Sequence, residues 1–96
     1  MKIQQEETGN SGRHFINDED GNMVAEITYT VKHPHKMIID HTEVAEELQG
    51  KNIGQQLVES VVEQARAEGR KIIPVCTFAK AIMERKKEFG DVLSED

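Results

Sequence analysis

At residues 49–54 the chain changes its hydrophobic period, and that change restricts the class of fold open to it. Upstream, Ala25, Ile27, Tyr29 and Val31 alternate with Glu26, Thr28 and Thr30. A period of two marks a strand with one buried face. Downstream, Ile53, Leu57, Val61, Val62 and Ala65 fall on one face at spacings near four and three, which predicts a helix over roughly residues 51 to 68. The stretch between is Gln49-Gly50-Lys51-Asn52-Ile53-Gly54. Its two glycines let the backbone turn tightly and approach a bound group closely. The helix it opens begins with unpartnered N–H groups at the positive end of the helix dipole. Lys51 adds a cation there, so a phosphate or pyrophosphate is a natural guest. A plain strand-to-helix connection with no ligand fits the same residues, and both readings stand at this point. After Gly50 the next glycine is Gly54, followed by Gln55, so neither Gly-x-x-x-x-Gly-Lys-Ser/Thr nor Gly-x-Gly-x-x-Gly is present.

The remaining elements follow from turn residues and apolar runs. Lys2 to Glu7 reads as a short edge strand with only Ile3 to bury, and Thr8 to Gly12 as a turn. Arg13 to Asn17 reads as a second strand, closed by a hairpin turn at Asp20-Gly21. Met23 to Lys32 is the clearest strand, His33 to Lys36 a turn, and Met37 to Val44 a third long strand. Gly69 stops the long helix, and Lys71 to Cys76 is a strand parallel to the one before that helix. Thr77 is expected to cap a last helix, Phe78 to about Phe89, with Phe78, Ile82 and Met83 inward. Residues 90–96 are expected to fray as an acidic tail. The expected fold is α+β, or α/β by taste: a mixed, mostly antiparallel sheet with a strand-helix-strand-helix C-terminal half.

Ninety-six residues make one domain, 1–96, with a modest core. The formal net charge of −6 argues against general nucleic-acid binding, which needs a basic footprint. Local basic patches remain at Lys51 and at Arg85, Lys86 and Lys87. The one cysteine, Cys76, cannot form an internal disulfide, which fits a reducing cytoplasm. No run is long enough to span a membrane, and the N-terminus lacks a hydrophobic signal core. A monomer is expected.

Pro74 is unusual in an interior strand, because it cannot donate to a ladder. Its position predicts that the last strand parts from its neighbour there, leaving a cleft between Thr42-Glu43-Val44 and Val75-Cys76, at the end that carries the glycine turn. With these features in place, the sequence resembles the GNAT superfamily of acyl-CoA N-acyltransferases, and within it the small single-domain members. The pyrophosphate motif of that family, Gln/Arg-x-x-Gly-x-Gly/Ala, reads here Gln49-Gly50-Lys51-Asn52-Ile53-Gly54, with Asn52 where the central glycine is usual. Asparagine tolerates a left-handed backbone well. Ile39 to Val44 and Ile73 to Ala79 match the small subfamily, so the resemblance runs from about Gly12 to Phe89.

The resemblance implies acetyl-CoA or CoA as the cofactor. Backbone groups near Thr42, Glu43 and Val44 would pair with the pantetheine arm, and the amides from Gly50 to Gly54 would hold the pyrophosphate. Gln49, Lys51, Asn52, Ile53 and Phe78 belong to the same cofactor side, and the thioester would lie near Cys76. It implies acetyl transfer to an unidentified amine or protein acceptor. The helices that wall the acceptor site in full-length members have no counterpart in the turn Thr8 to Gly12. An acyl-CoA-binding module without turnover is therefore the alternative, and a plain interaction domain with no cofactor is a third reading.

Acyl transfer to an amine needs a neutral amine, a polarised thioester and a stabilised leaving thiolate. Cys76 is a candidate nucleophile in a ping-pong route, its thiol lowered by the helix that follows; a small buried core residue is the competing reading. Glu43 is a candidate base at the strand end, or else a surface glutamate in an acidic run. His41 is a candidate base or a partner for Cys76, or else a packed or solvated side chain. On an ideal strand His41 and Glu43 share a face, and a bulge would break that parity. No metal is expected: His33, His35 and His41 lack a second cluster and read as surface histidines. Gly54 is expected to tolerate no side chain, because one would enter the path of the pyrophosphate.

Overall fold

The alternating runs form the sheet that their period predicts. In the computed structural model, which describes residues 2–32 and 35–94, the elements are β1 (Gln4–Thr8), β2 (Ser11–Asn17), β3 (Met23–Val31), β4 (Lys36–Val44), α1 (Ile53–Glu68), β5 (Lys71–Pro74) and α2 (Thr77–Arg85). Single 3-10 turns, Glu46–Leu48 and Lys87–Phe89, precede α1 and follow α2. The five strands lie in sequence order in one sheet. The first three pairings are antiparallel and β4–β5 is parallel, with α1 as the crossover.

One face of the sheet supplies Ile16, Ala25, Ile27, Tyr29, Met37, Ile39 and Ile72 to the core. The apolar stripe of α1, Leu57, Val58, Val61, Val62 and Ala65, fills the other side, joined by Ile82 and Met83 of α2. All five α1 residues singled out by their spacing are buried. At the end of α1, Gly69 takes a left-handed backbone (φ 68°), as a glycine stop requires.

Four expectations are corrected. Ile82 and Met83 are buried as expected, but Phe78 is exposed. Thr77 does not cap α2: it is the first helical residue, Cys76 holds the cap position, and no side chain caps the end. The last helix stops at Arg85 rather than near Phe89. The tail does not fray over residues 90–94. Val92 is buried, the Ile72 amide donates to the Val92 carbonyl (2.6 Å), and the Ser94 amide donates to the Ile72 carbonyl (2.8 Å). This segment covers the outer edge of β5, and Asp91 holds it down by a two-pronged bond to Arg66 at 2.8 and 2.9 Å. Residues 95–96 lie outside the described residues, as do His33 and Pro34 of the expected turn.

β4 carries the bulge that matters for the site. Tyr29 pairs with Ile39 and Thr28 with His41, so Asp40 has no partner across the ladder. Its carboxylate instead accepts from the Thr30 hydroxyl (2.7 Å). Since side chains alternate, one extra residue exchanges the faces. Before the bulge Met37 and Ile39 point into the core; after it Thr42 and Val44 are half-buried, and His41 and Glu43 are exposed.

Candidate active site

The ladder between β4 and β5 ends at Ile39 and Pro74. The amides of Val75 and Cys76 both close on the Ile39 carbonyl at 3.1 Å, and α2 then begins at once. β4 runs on to Val44, held on its other side by β3 as far as Ala25. The Ala45 amide donates to the Val24 carbonyl (2.8 Å), on the β3 side. By alternation, the backbone groups of Thr42 and Val44 face the gap that β5 has left. The Gln49 side chain reaches into that gap and donates to the Val44 carbonyl (3.3 Å).

The glycine turn closes the same end. Gly50 has φ 85° and Asn52 has φ 62°, the one positive φ outside glycine among the described residues. Asn52 thus takes the left-handed conformation that a glycine would take at less cost. The Gln56 amide donates to the Asn52 carbonyl (3.0 Å), the first bond of α1. The amides of Ile53, Gly54 and Gln55 precede that bond and have no carbonyl one turn back. Asn52 does not cap them with its side chain, and the first turn of α1 has no acidic residue. Free donors without a competing carboxylate suit a phosphate. A Cβ on Gly54 would lie 2.5 Å from Cζ and 2.7 Å from Cε2 of Phe78. A side chain there meets the Phe78 ring, a constraint on that glycine separate from the one expected.

Together these elements enclose a cleft of about 530 Å³. The turn from Leu48 to Gln55 forms one wall, and Phe78, Ala81, Ile82 and Arg85 form the other, with Thr42 and Val44 at the strand end. The α2 residues follow i, i+3, i+4, i+7, one helical face. Sequence reasoning missed Ala81, Ile82 and Arg85 as lining residues, although that spacing was there to find. Lys51 is exposed and does not line the cleft.

Cys76 sits where the strands part. Its sulfur lies 3.5 Å from the Thr42 hydroxyl. Partial burial pushes the thiol up, but hydrogen bonds from the Thr42 hydroxyl and the amides of Ala79, Phe78 and Thr42 outweigh it, holding Cys76 below the ordinary thiol value. These are donors that stabilise a thiolate. His41 Nε2 lies 3.6 Å from the Glu43 carboxylate, an ion pair only when the imidazole is protonated, and the two side chains are 62% and 70% exposed. The bulge at Asp40 falls before both, so His41 and Glu43 keep a shared face, and it turns that face away from Thr42; His41 therefore lies by Glu43 and not by Cys76. Among the described residues no three His, Cys, Asp or Glu side chains gather as a metal site, and no helix is long and apolar enough to cross a membrane.

Residues 13–92 match the family profile of the GCN5-related N-acetyl-transferases. No curated protein matches the chain. Among solved structures, a GCN5-like protein of Staphylococcus aureus is 38% identical, with a TM-score of 0.76 over 97% of this chain and 87% of that one. The ribosomal-protein-S18-alanine N-acetyltransferase of Escherichia coli is 15% identical with a TM-score of 0.67; the match covers 82% of this chain and 53% of the enzyme, so this chain spans about half its length. An aminoglycoside N-acetyltransferase in complex with CoA is 8% identical with a TM-score of 0.68 over 88% of each chain. The last two share the fold alone, whereas the profile match and the staphylococcal relative carry lineage: the chain belongs to the GCN5-related N-acetyltransferase family.

Proposed function

We propose that this protein transfers an acetyl group from acetyl-CoA to an amine, with Cys76 as the nucleophile. The observation that carries the reading is the parting of β4 and β5 at Pro74: Cys76 lies there against Thr42, and Thr42 lines the cleft together with the amide-rich start of α1, although Cys76 itself does not line it. The open edge of β4 at Thr42 and Val44 supports a pantetheine arm laid along it as an extra strand. The free amides of Ile53, Gly54 and Gln55 support a pyrophosphate, and Gln49, Gly50 and Asn52 shape the turn around it. The apolar ring of Phe78 supports the arm between them.

In this reading the Cys76 thiolate attacks the acetyl carbonyl. The bond from that carbon to the sulfur of CoA breaks, CoA leaves as its thiolate, and the acetyl group is held as a thioester on Cys76. A neutral amine then attacks that thioester, and the Cys76 thiolate is the leaving group. The amide formed loses its extra proton to Glu43 or His41 through water. Both stand on the outer face of β4, so the acceptor approaches from that face.

Binding of acyl-CoA without turnover is the second reading. β1 and β2 are joined only by Gly9 and Asn10, so nothing there walls an acceptor. Two measurements separate the readings. Incubation with acetyl-CoA followed by intact mass should show an acetyl adduct that Cys76→Ala removes, while the variant still binds CoA. The alkylation rate of Cys76 should rise at lower pH than that of an ordinary thiol and fall when acetyl-CoA is added. Protection without an adduct and without product would leave a binder; alkylation unaffected by acetyl-CoA would remove the cofactor from this cleft.

A further inference from the structure

The cleft has one charged residue along its lining, Arg85, in a chain whose formal net charge is −6. The other three arginines are matched with carboxylates: Arg13 with Glu6 and Glu26, Arg66 with Asp91, and Arg70 with Glu68. No ion pair holds Arg85 among the described residues, although Glu84 and Glu88 are near it in sequence. A last-turn arginine can be explained by the negative end of its own helix. That explanation does not require it to share a face with Phe78, Ala81 and Ile82, the face that α2 turns to the cleft.

Position along the helix then decides what Arg85 meets. The start of α2 touches the start of α1, since Phe78 packs on Gly54. Arg85 is seven residues beyond Phe78, about 10 Å further along the axis at the helical rise. The amides of Ile53, Gly54 and Gln55 already provide for one phosphate group near Phe78. A cation about 10 Å further on calls for a second, separate phosphate on the same ligand. CoA carries one, the 3′-phosphate of its ribose. Resting on the reading of this cleft as a CoA site, we infer that Arg85 holds the ribose 3′-phosphate and makes the protein select CoA over dephospho-CoA. A guanidinium gives a phosphate two parallel donors, which glutamine cannot do and lysine does only as a point charge.

The test is a set of titrations by calorimetry or amide shifts, with CoA and dephospho-CoA as probes and the wild type, Arg85→Gln and Arg85→Lys as proteins. The wild type should bind CoA about 10- to 100-fold more tightly than dephospho-CoA, the range for a charged hydrogen bond. Arg85→Gln should lower the affinity for CoA to that for dephospho-CoA and leave dephospho-CoA binding unchanged. Arg85→Lys should retain part of the difference. The amide spectrum of each free variant, matching the wild type outside α2, checks the fold. An equal loss for both ligands in Arg85→Gln would overturn the inference, since Arg85 would then act elsewhere than on the 3′-phosphate. So would unchanged CoA binding in that variant, or a wild type that binds both ligands alike. A wild type that binds neither would instead overturn the CoA reading itself, and the inference with it.

Discussion

His14 is completely buried, and the partners of its ring fix the proton it carries. Nε2 lies 2.6 Å from the Gln64 side-chain oxygen and Nδ1 lies 2.7 Å from the Ser60 hydroxyl. The Gln64 amide nitrogen faces the Tyr29 hydroxyl (3.1 Å) and the carboxylates of Glu68 and Glu7, so its oxygen is left for His14. A carbonyl oxygen only accepts, so Nε2 holds the proton and donates. In the neutral ring Nδ1 is an acceptor, and the single Ser60 hydroxyl proton has two acceptors at 2.7 Å, Nδ1 and the Leu57 carbonyl. Burial lowers the pKa of His14 below the ordinary value of 6.5; the Gln64 bond and the charge of Glu68 oppose it without prevailing. The unfolded chain therefore binds this proton at higher pH than the native state does. The contribution of His14 to stability is complete above about pH 6.5 and is lost as pH falls from there toward the native pKa. The slope approaches about 1.4 kcal/mol per pH unit within that window. Urea midpoints measured between pH 8 and pH 5 should show this fall, and His14→Gln should flatten it (both pH limits set roughly around the histidine range). A wild-type slope equal to that of the variant would mean that carboxylates alone set the acid limit. Nothing in the sequence marks His14. It stands in an ordinary strand run, and Ser60 and Gln64 are 46 and 50 residues away.

The elements meet at their ends, and the contact between α1 and α2 is carried by an absence of side chain. Phe78 rests against the bare Cα of Gly54, so the two helix starts approach more closely than an alanine would allow. The ring is 45% exposed and can move, which makes the cost of a side chain a question of coupling rather than of a fixed clash. Gly54→Ala should lower stability by about 1–2 kcal/mol, the low end of over-packing offset by better helix propensity. In a Phe78→Ala background the same change should cost nothing or stabilise slightly, because only the propensity remains. Equal costs in both backgrounds, read from denaturant midpoints, would show that the ring is not what Gly54 accommodates. This contact also shows how far the sequence could be read. A helix with a buried stripe, a strand interrupted at Pro74 and a left-handed Asn52 each follow from local rules, and each is present. The site needed more. The facing of His41 and Glu43 depends on which residue bulges; that residue is Asp40, whose carboxylate accepts from Thr30 on the adjacent strand. The docking of residues 90–94 depends on the free edge of β5 and on Arg66, neither visible from an acidic tail. Such features are set by pairings between distant residues, and local periodicity carries no trace of them.

At the scale of the molecule, one hydrophobic cluster links β2, β3, β4 and β5 with both helices, so the cleft is built from elements that also make the core. Leu48, Ile53 and Ile82 belong to both. A chain of 96 residues has stability of only about 5–15 kcal/mol, and a ligand held by such shared elements should act on the whole of it. Binding to the native state alone stabilises by RT ln(1 + [L]/Kd), about 2.7 kcal/mol at one hundred times Kd. For a domain of this size each kcal/mol moves the melting temperature by roughly 4–8 °C, so acetyl-CoA at that level should raise it by roughly 10–20 °C. Pantetheine, which lacks the phosphates, should raise it far less at equal concentration. Hydrogen exchange provides the sharper reading of the same linkage. Amides of β2, β3 and β4 that exchange only on global unfolding should slow by the full factor, about 100-fold at one hundred times Kd, although none of β2 touches the cleft. Amides of residues 53–55 should slow further, through direct bonds to the ligand. If protection stayed confined to residues 42–55 and 76–85 while the slowest amides were unchanged, the ligand would also be binding a partly opened form. The cleft would then be a separate unit of folding rather than part of the core.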